Sequence, residues 1–274
     1  MSLDLSLHAR AARSGYGYLR FYRWTPSCLS FGRHEPALKR YDRGRIAELG
    51  IDTVRRPTGG RAVWHAGELT YAVAAPEAAM GSLREAYHQI HLTIAAGLQA
   101  LGAPVQLAPA GRSVPLDAGA CFSAAAGGEV VRDASKVVGS AQLRSDGALL
   151  QHGSVLLDDD QSLVRDVSIG PAELPDVQPL SQILGRPADW EEVALTIRDA
   201  ATPWGEWATL DEAGLLAESE AHTESISRYL SLGELHVMKH RGDRLRAEIA
   251  WHEELIEKLP QIISDERNRK ETTS

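Results

Sequence analysis

The stretch 82–102 constrains the fold of this chain most. Ala86, Ile90, Ile94, Leu98 and Leu101 recur every three or four residues, which gathers them on one face of an α-helix. Ser82 stands at the N-cap position, Glu85 three residues on completes a capping box, and Gly102 closes the run. A helix with one apolar face must bury it, and the runs on either side of this helix read as strands that supply the sheet.

Residues 18–24 and 28–32 interleave aromatic and aliphatic side chains with polar ones and read as two strands, separated by a turn at Thr25-Pro26-Ser27. A helix over 39–49 is stopped by Gly50, and a strand over 52–57 runs into Thr58-Gly59-Gly60. Further strands are expected at 61–64, 69–75 and 104–108, and 109–128 reads as a loop rich in Ala, Gly and Pro. Residues 129–132, 135–143 and 148–157 suggest three antiparallel strands turning at Asp133-Ala134 and Ser145-Asp146-Gly147. No βαβ unit repeats, so the class is α+β, with mixed or antiparallel sheets packed against helices. Pro171, Pro175, Pro179 and Pro187 punctuate the looser section after Asp158, and a boundary within 158–188 is expected. It divides a core, 1–165, from a small, mainly helical C-terminal region, 166–274. That region is expected to hold a helix over 189–201 and an amphipathic tail helix over 243–259. Leu245, Ile249, His252, Ile256 and Leu259 share the tail helix's face, suited to docking on its own domain or to dimer formation. The last ten residues are polar and are expected to be disordered.

At 274 residues and 43% apolar content the chain can bury a substantial core. No apolar run reaches the roughly 20 residues that cross a bilayer, and Met1-Ser2-Leu3-Asp4 does not open like a signal peptide, so no membrane association and a cytoplasmic location are expected. A net charge of −8 argues against nucleic acid as a partner. The section holding Lys39, Arg40, Arg43, Arg45, Arg55, Arg56 and Arg61 is nevertheless basic, which suits ordinary solvated surface or an acidic partner. With only Cys28 and Cys121, and in a reducing compartment, both cysteines read as thiols.

Three stretches describe acyl-transfer chemistry. Gly59-Gly60, flanked by Arg55, Arg56 and His65, allows a backbone to approach a carbonyl or phosphate oxygen closely. Cys121 can carry an acyl group, and the ammonium of Lys136 can favour its thiolate or stabilise oxyanion charge. Gly139 and Ser140 beside the lysine offer a close backbone approach and a hydroxyl, and His65 and His152 are candidates to line the pocket. Val63, Trp64 and Leu150 are candidates for an apolar acyl slot, whereas Cys28 reads as a structural thiol in its strand. The pairs His88/His91 and His236/His240 lack a Glu or Cys partner in motif position, so no metal and no other cofactor is expected.

The run from Arg55 to His65 with Leu69-Thr70-Tyr71, then Cys121-Phe122, then Lys136 to Gln142, then Leu150 to Leu157, resembles the lipoate and biotin protein ligase superfamily. It is most similar to octanoyltransferases that load lipoyl domains. Biotin ligases carry a Gly-Arg-Gly-Arg loop where this chain has Pro57-Thr58-Gly59-Gly60-Arg61. The resemblance implies Cys121 and Lys136 as catalytic residues, and Arg55, Arg56, Gly59, Gly60, His65, Gly139, Ser140 and His152 as substrate-binding ones. It also implies octanoyl-acyl carrier protein as donor and a lipoyl-domain protein, such as a glycine cleavage H protein, as acceptor. Family members begin with a strand and then a helix bearing an Ala-Leu-Asp segment. Ser2-Leu3-Asp4 matches that helix, so the first strand is expected to be missing here. Two other readings remain open: an ATP-dependent lipoate–protein ligase, which needs no cysteine, and a non-catalytic module that binds lipoyl domains.

Overall fold

The computed structural model describes residues 2–109, 127–170, 176–210 and 214–217. Cys121 and the tail expected to be helical at 243–259 lie outside the described residues. The chain opens with α1 (Ser2–Ser14) and continues through β1 (Tyr18–Tyr22), β2 (Cys28–Phe31), α2 (Ala37–Arg40), α3 (Arg43–Glu48), β3 (Asp52–Arg55), β4 (Val63–His65) and β5 (Glu68–Pro76). Next come α4 (Glu77–Met80), α5 (Leu83–Ala100), β6 (Gln106–Leu107), β7 (Val130–Arg132), β8 (Ser135–Ser145) and β9 (Ala148–Leu156). Three helices, α6 (Ser162–Asp166), α7 (Leu180–Leu184) and α8 (Trp190–Ala200), follow, with a 3₁₀ turn at Thr202–Trp204 and one helical turn at 214–217.

Six strands form an antiparallel sheet in the order β1-β5-β9-β8-β7-β6. A smaller sheet has the order β3-β2-β4, with β2 parallel to β3 and antiparallel to β4. The expected α+β architecture with mixed and antiparallel sheets is therefore what forms. β1 and β2, adjacent in sequence, join different sheets. The expected helix over 39–49 is two short helices, because Tyr41 between them is extended and Asp42 caps the second through Arg45 N–H. Tyr41 is buried with its hydroxyl donating to Glu35, and that anchored geometry outweighs the helical pattern.

The helix that the sequence marks most clearly forms with its reciprocal Ser82–Glu85 capping box, worth about 1 kcal/mol. Ala86, Ile90, Ile94 and Leu98 pack on the main sheet against Leu69, Tyr71, Val73, Val138, Leu149 and Val155, and α8 joins the same core through Val193 and Ile197. Leu180 of α7 joins it too, so residues well beyond 165 are packed into this core. Side chains alternate across a strand, and the opposite face of the sheet is shared. At one end α1 covers Ala72, Ala74 and Leu150 with Leu7 and Ala11, and at the other Val63 of the small sheet meets Leu156. Gln161 ties the small sheet down: its amide accepts from Trp64 N–H at 2.9 Å and donates to Trp64 C=O at 2.6 Å, so a buried side chain occupies the place of a neighbouring strand.

Gly97 fixes how close α8 can come. A Cβ there would lie 2.7 Å from Ile197 Cα and 2.9 Å from its backbone nitrogen, and backbone cannot swing away. Gly97→Ala is expected to cost roughly 1–3 kcal/mol in urea denaturation. Leu92→Ala on the exposed face of α5 is expected to stay within about 0.5 kcal/mol.

Candidate active site

A small cavity lies between the two sheets, lined by Arg56, Val63, His65, Thr70, Gly139, Ser140, Ala141, His152, Gly153 and Ser154. Thr70, His152 and Ser154 are near neighbours on one face of β5 and β9, with Gly139 and Ala141 opposite them on β8. Arg56 and Val63 close it from the small-sheet side.

Arg56 organises the loop. Its guanidinium is buried, and Nη1 donates to Ser30 C=O at 3.0 Å and to Ser30 Oγ at 2.7 Å. Nη2 donates to Gly59 C=O at 3.2 Å and to Arg61 C=O at 2.6 Å. One planar fork thus ties β2 to both sides of the glycine loop. The loop also abuts the chain after β2: a Cβ on Gly32 would fall 1.9 Å from Gly60 C=O, so Gly32 is as necessary to the loop as the glycines within it.

Both cavity histidines are links in hydroxyl–imidazole–carboxylate relays. His65 Nδ1 donates to Glu68 Oε1 at 2.7 Å, which leaves Nε2 to accept from Ser30 Oγ at 2.6 Å. Trp24 stacks on the His65 ring at 4.4 Å and donates its Nε1–H to Thr70 Oγ1, which in turn donates to Glu68. His152 Nδ1 faces Asp4 Oδ2 at 3.3 Å, and its Nε2 meets Thr58 Oγ1 at 2.6 Å. Burial pushes His152 below the ordinary imidazole range although Asp4 pulls the other way. Asp4 is fully buried, and although desolvation opposes its charge, the positive chain terminus, His152 and Arg20 hold its carboxyl far below the usual carboxylate range. With these nitrogens and hydroxyls engaged in the wall, what His65, His152 and Thr70 offer the cavity is chiefly carbon.

Behind the sheet a second network runs between β8 and α5. Ser140 Oγ is 2.6 Å from Tyr71 Oη and 2.8 Å from His91 Nε2, while His91 Nδ1 donates to Gly128 C=O at 2.7 Å. Burial drives His91 down to about 4, so the ring is neutral and accepts at Nε2 from the serine. Gly153 makes room: a Cβ there would sit 2.4 Å from Ser140 Oγ and 2.8 Å from Tyr71 Cε1. The Ser140 hydroxyl expected to serve a substrate is therefore directed to the helix side of the sheet and used there.

Of the residues singled out in the sequence, Arg56, His65, Gly139, Ser140 and His152 meet at the cavity. Arg55 turns away and donates to the carbonyls of Gly32, Arg33 and Glu35. Gly59 is exposed, and Gly60, in the left-handed region, approaches Ala141. Lys136 is buried, 2% exposed, and pairs with Glu129 at 2.9 Å rather than lining the cavity. Val63 lines the cavity as expected of an acyl slot. Trp64, one residue from Val63, is turned by the alternation of its strand to pack with Leu29 and Phe31, whereas Leu150 shares the face of His152 but lies further along β9, under α1. Asp4, Ser30, Thr58, Glu68 and Glu129 drew no attention in the sequence as site residues. Only the three-residue step from His65 to Glu68 hinted at one of these pairings.

Removing one partner of a buried ion pair strands the other charge. Glu129→Ala is expected to cost roughly 3 kcal/mol, read as a lowered urea midpoint, with Glu129→Gln costing less.

The sequence profile of the lipoyl protein ligase A/B catalytic domain matches residues 1–202. A protein of Exiguobacterium sibiricum named octanoyltransferase LipM is 39% identical over 201 residues, covering 65% of this chain and 71% of its own. A Kyrpidia tusciae protein of the same name is 38% identical over 226 residues, covering 79% of this chain and 78% of its own. Among solved structures, lipoate-protein ligase A bound with ATP superposes with a TM-score of 0.66 at 19% identity, covering 82% of this chain and 87% of that one. A bipartite lipoate protein ligase from Thermoplasma acidophilum, solved in a study of an archaeal lipoylation system with its E2 lipoyl domain, gives 0.60 at 19% identity, covering 82% and 86%. These structures share the fold, and the match over the first 202 residues settles the kinship: the chain belongs to the lipoyl protein ligase A/B catalytic domain family.

Proposed function

We propose that this protein transfers an octanoyl group in protein lipoylation, from an acyl carrier protein to Cys121 as a thioester and then to a lysine of a lipoyl-domain protein such as a glycine cleavage H protein. The observation that carries this reading is likeness over most of the chain, at 38–39% identity, to proteins named octanoyltransferases. A cavity whose polar side chains are largely tied off within its own walls suits an alkyl chain.

In the first half-reaction the Cys121 thiolate attacks the carbonyl of the carrier thioester. A new C–S bond forms as the old one breaks, and the carrier leaves as a thiolate that takes up a proton. One thioester replaces another at nearly equal energy. In the second, the lysine amine attacks the enzyme thioester, loses its proton as the amide forms, and expels Cys121 as thiolate. Amide formation from a thioester is downhill, so ATP is not required. The Lys136 ammonium, held by Glu129, is assigned to stabilising negative charge at the reacting carbonyl and at Cys121.

The fold shared with a ligase crystallised with ATP motivates one rival, lipoate activation by adenylation. Mixing the protein with octanoyl-carrier in the absence of ATP is expected to add one octanoyl mass to the wild type and none to Cys121→Ala. Lys136→Met is expected to slow loading by roughly 10²-fold. Lipoate-dependent pyrophosphate release with no acyl adduct would give the site to the ligase reading. Docking of an acidic carrier is assigned to α2 and α3, where Lys39, Arg43 and Arg45 are exposed. kcat/KM for carrier-borne octanoate is therefore expected to fall as salt rises, and a flat salt profile would remove that surface from the mechanism.

A further inference from the structure

Asp4, His152 and Thr58 come from α1, β9 and the glycine loop, and no element other than the folded core brings them together. Asp4 is 0% exposed and its two oxygens receive three donors: Arg20 Nη1 at 2.8 Å, Tyr22 Oη at 2.9 Å and His152 Nδ1 at 3.3 Å. An ionised carboxylate only accepts, so Nδ1 of His152 carries the proton. Nε2 is then the acceptor, and the Thr58 hydroxyl must donate to it across 2.6 Å. Thr58 is held from its other side as well, since its carbonyl takes Arg33 N–H at 2.8 Å. A residue clamped at both polar groups leaves the two glycines after it little freedom at their first bond. Gly60 lies beside the cavity wall, with its would-be Cβ 3.2 Å from Arg56 Nη2 and 4.0 Å from Ala141.

We propose that Asp4 is a positioning residue for acyl transfer: by fixing the tautomer of His152 it locks the Thr58 hydroxyl, and through Thr58 it sets the Gly59–Gly60 backbone against the reacting carbonyl. The inference rests on the acyl-transfer reading above. The chemistry also explains why the group at the far end of the relay is an acid. An amide in its place has one acceptor oxygen for three converging donors, and its N–H₂ confronts either the histidine or the arginine and tyrosine.

The test is Asp4→Asn, studied in the full chain. ¹⁵N NMR of histidine-labelled wild type is expected to show His152 as the Nδ1–H tautomer, and Asp4→Asn to convert it to Nε2–H. The rate of enzyme acylation by octanoyl-carrier is expected to drop roughly 10- to 100-fold in kcat, the size of loss that follows removal of the partner orienting a metal-binding histidine, with KM held within about threefold. An Nε2–H tautomer in the wild type would overturn the relay without recourse to any variant. So would a tautomer switch that leaves the acylation rate unchanged, or a rate loss that merely tracks a fall in thermal midpoint. If the wild type takes up no acyl group at all, the transfer reading fails, and the wild-type tautomer decides the relay on its own.

Discussion

A guanidinium removed from water must find acceptors for its donors, and the site is built around that requirement at Arg56. Ser30 gives it a carbonyl and a hydroxyl from β2, and Gly59 and Arg61 give it carbonyls from the loop. Satisfying one side chain therefore draws a strand end and both flanks of a glycine loop to a common point. Ser30 in turn donates to His65, which donates to the buried Glu68. The relay joins the small sheet to β5 of the main one, and Gln161, in the connection after β9, holds Trp64 of β4.

The same arrangement resolves an apparent contradiction in the cavity. Its lining names arginine, two histidines, a threonine and two serines, a set that reads as polar. Yet the imidazole nitrogens are spent on Ser30, Glu68, Thr58 and Asp4, and the Ser140 hydroxyl on Tyr71 and His91. Satisfied polar groups turn their carbon faces inward, so a wall of polar residues presents a largely apolar surface. Because each relay runs from a hydroxyl to a carboxylate, it also has a fixed direction. Buried networks of this kind specify geometry more than they add stability.

Much of the scaffold was legible from short-range pattern. The helix from Ser82 declared itself by period and capping box, and the strands of β5, β8 and β9 by alternation and turn residues, because these signals depend on neighbours a few positions apart. Where pattern and packing conflicted, packing won. The 39–49 stretch broke at Tyr41, whose hydroxyl has a buried carboxylate to reach. Of the site, Arg56, His65 and His152 could be picked out by residue type and by resemblance. Their partners could not: Asp4 and His152 are 148 positions apart, and Ser30 and Thr58 are ordinary hydroxyl residues until a histidine is placed against them.

The order of residues by itself determined the long helix and the principal strands, that a glycine pair flanked by arginines lies beyond β3, and which family the chain resembles. Those properties are local, or are carried by motifs whose members lie close in sequence. Tertiary structure alone decided which way each motif residue faces: Arg55 outward to carbonyls, Arg56 inward, Ser140 to the helix side, Lys136 onto Glu129. It decided too which imidazole nitrogen carries its proton. The reason is that a buried polar group is fixed by partners it must find anywhere in the fold, and sequence distance places no limit on where those partners come from.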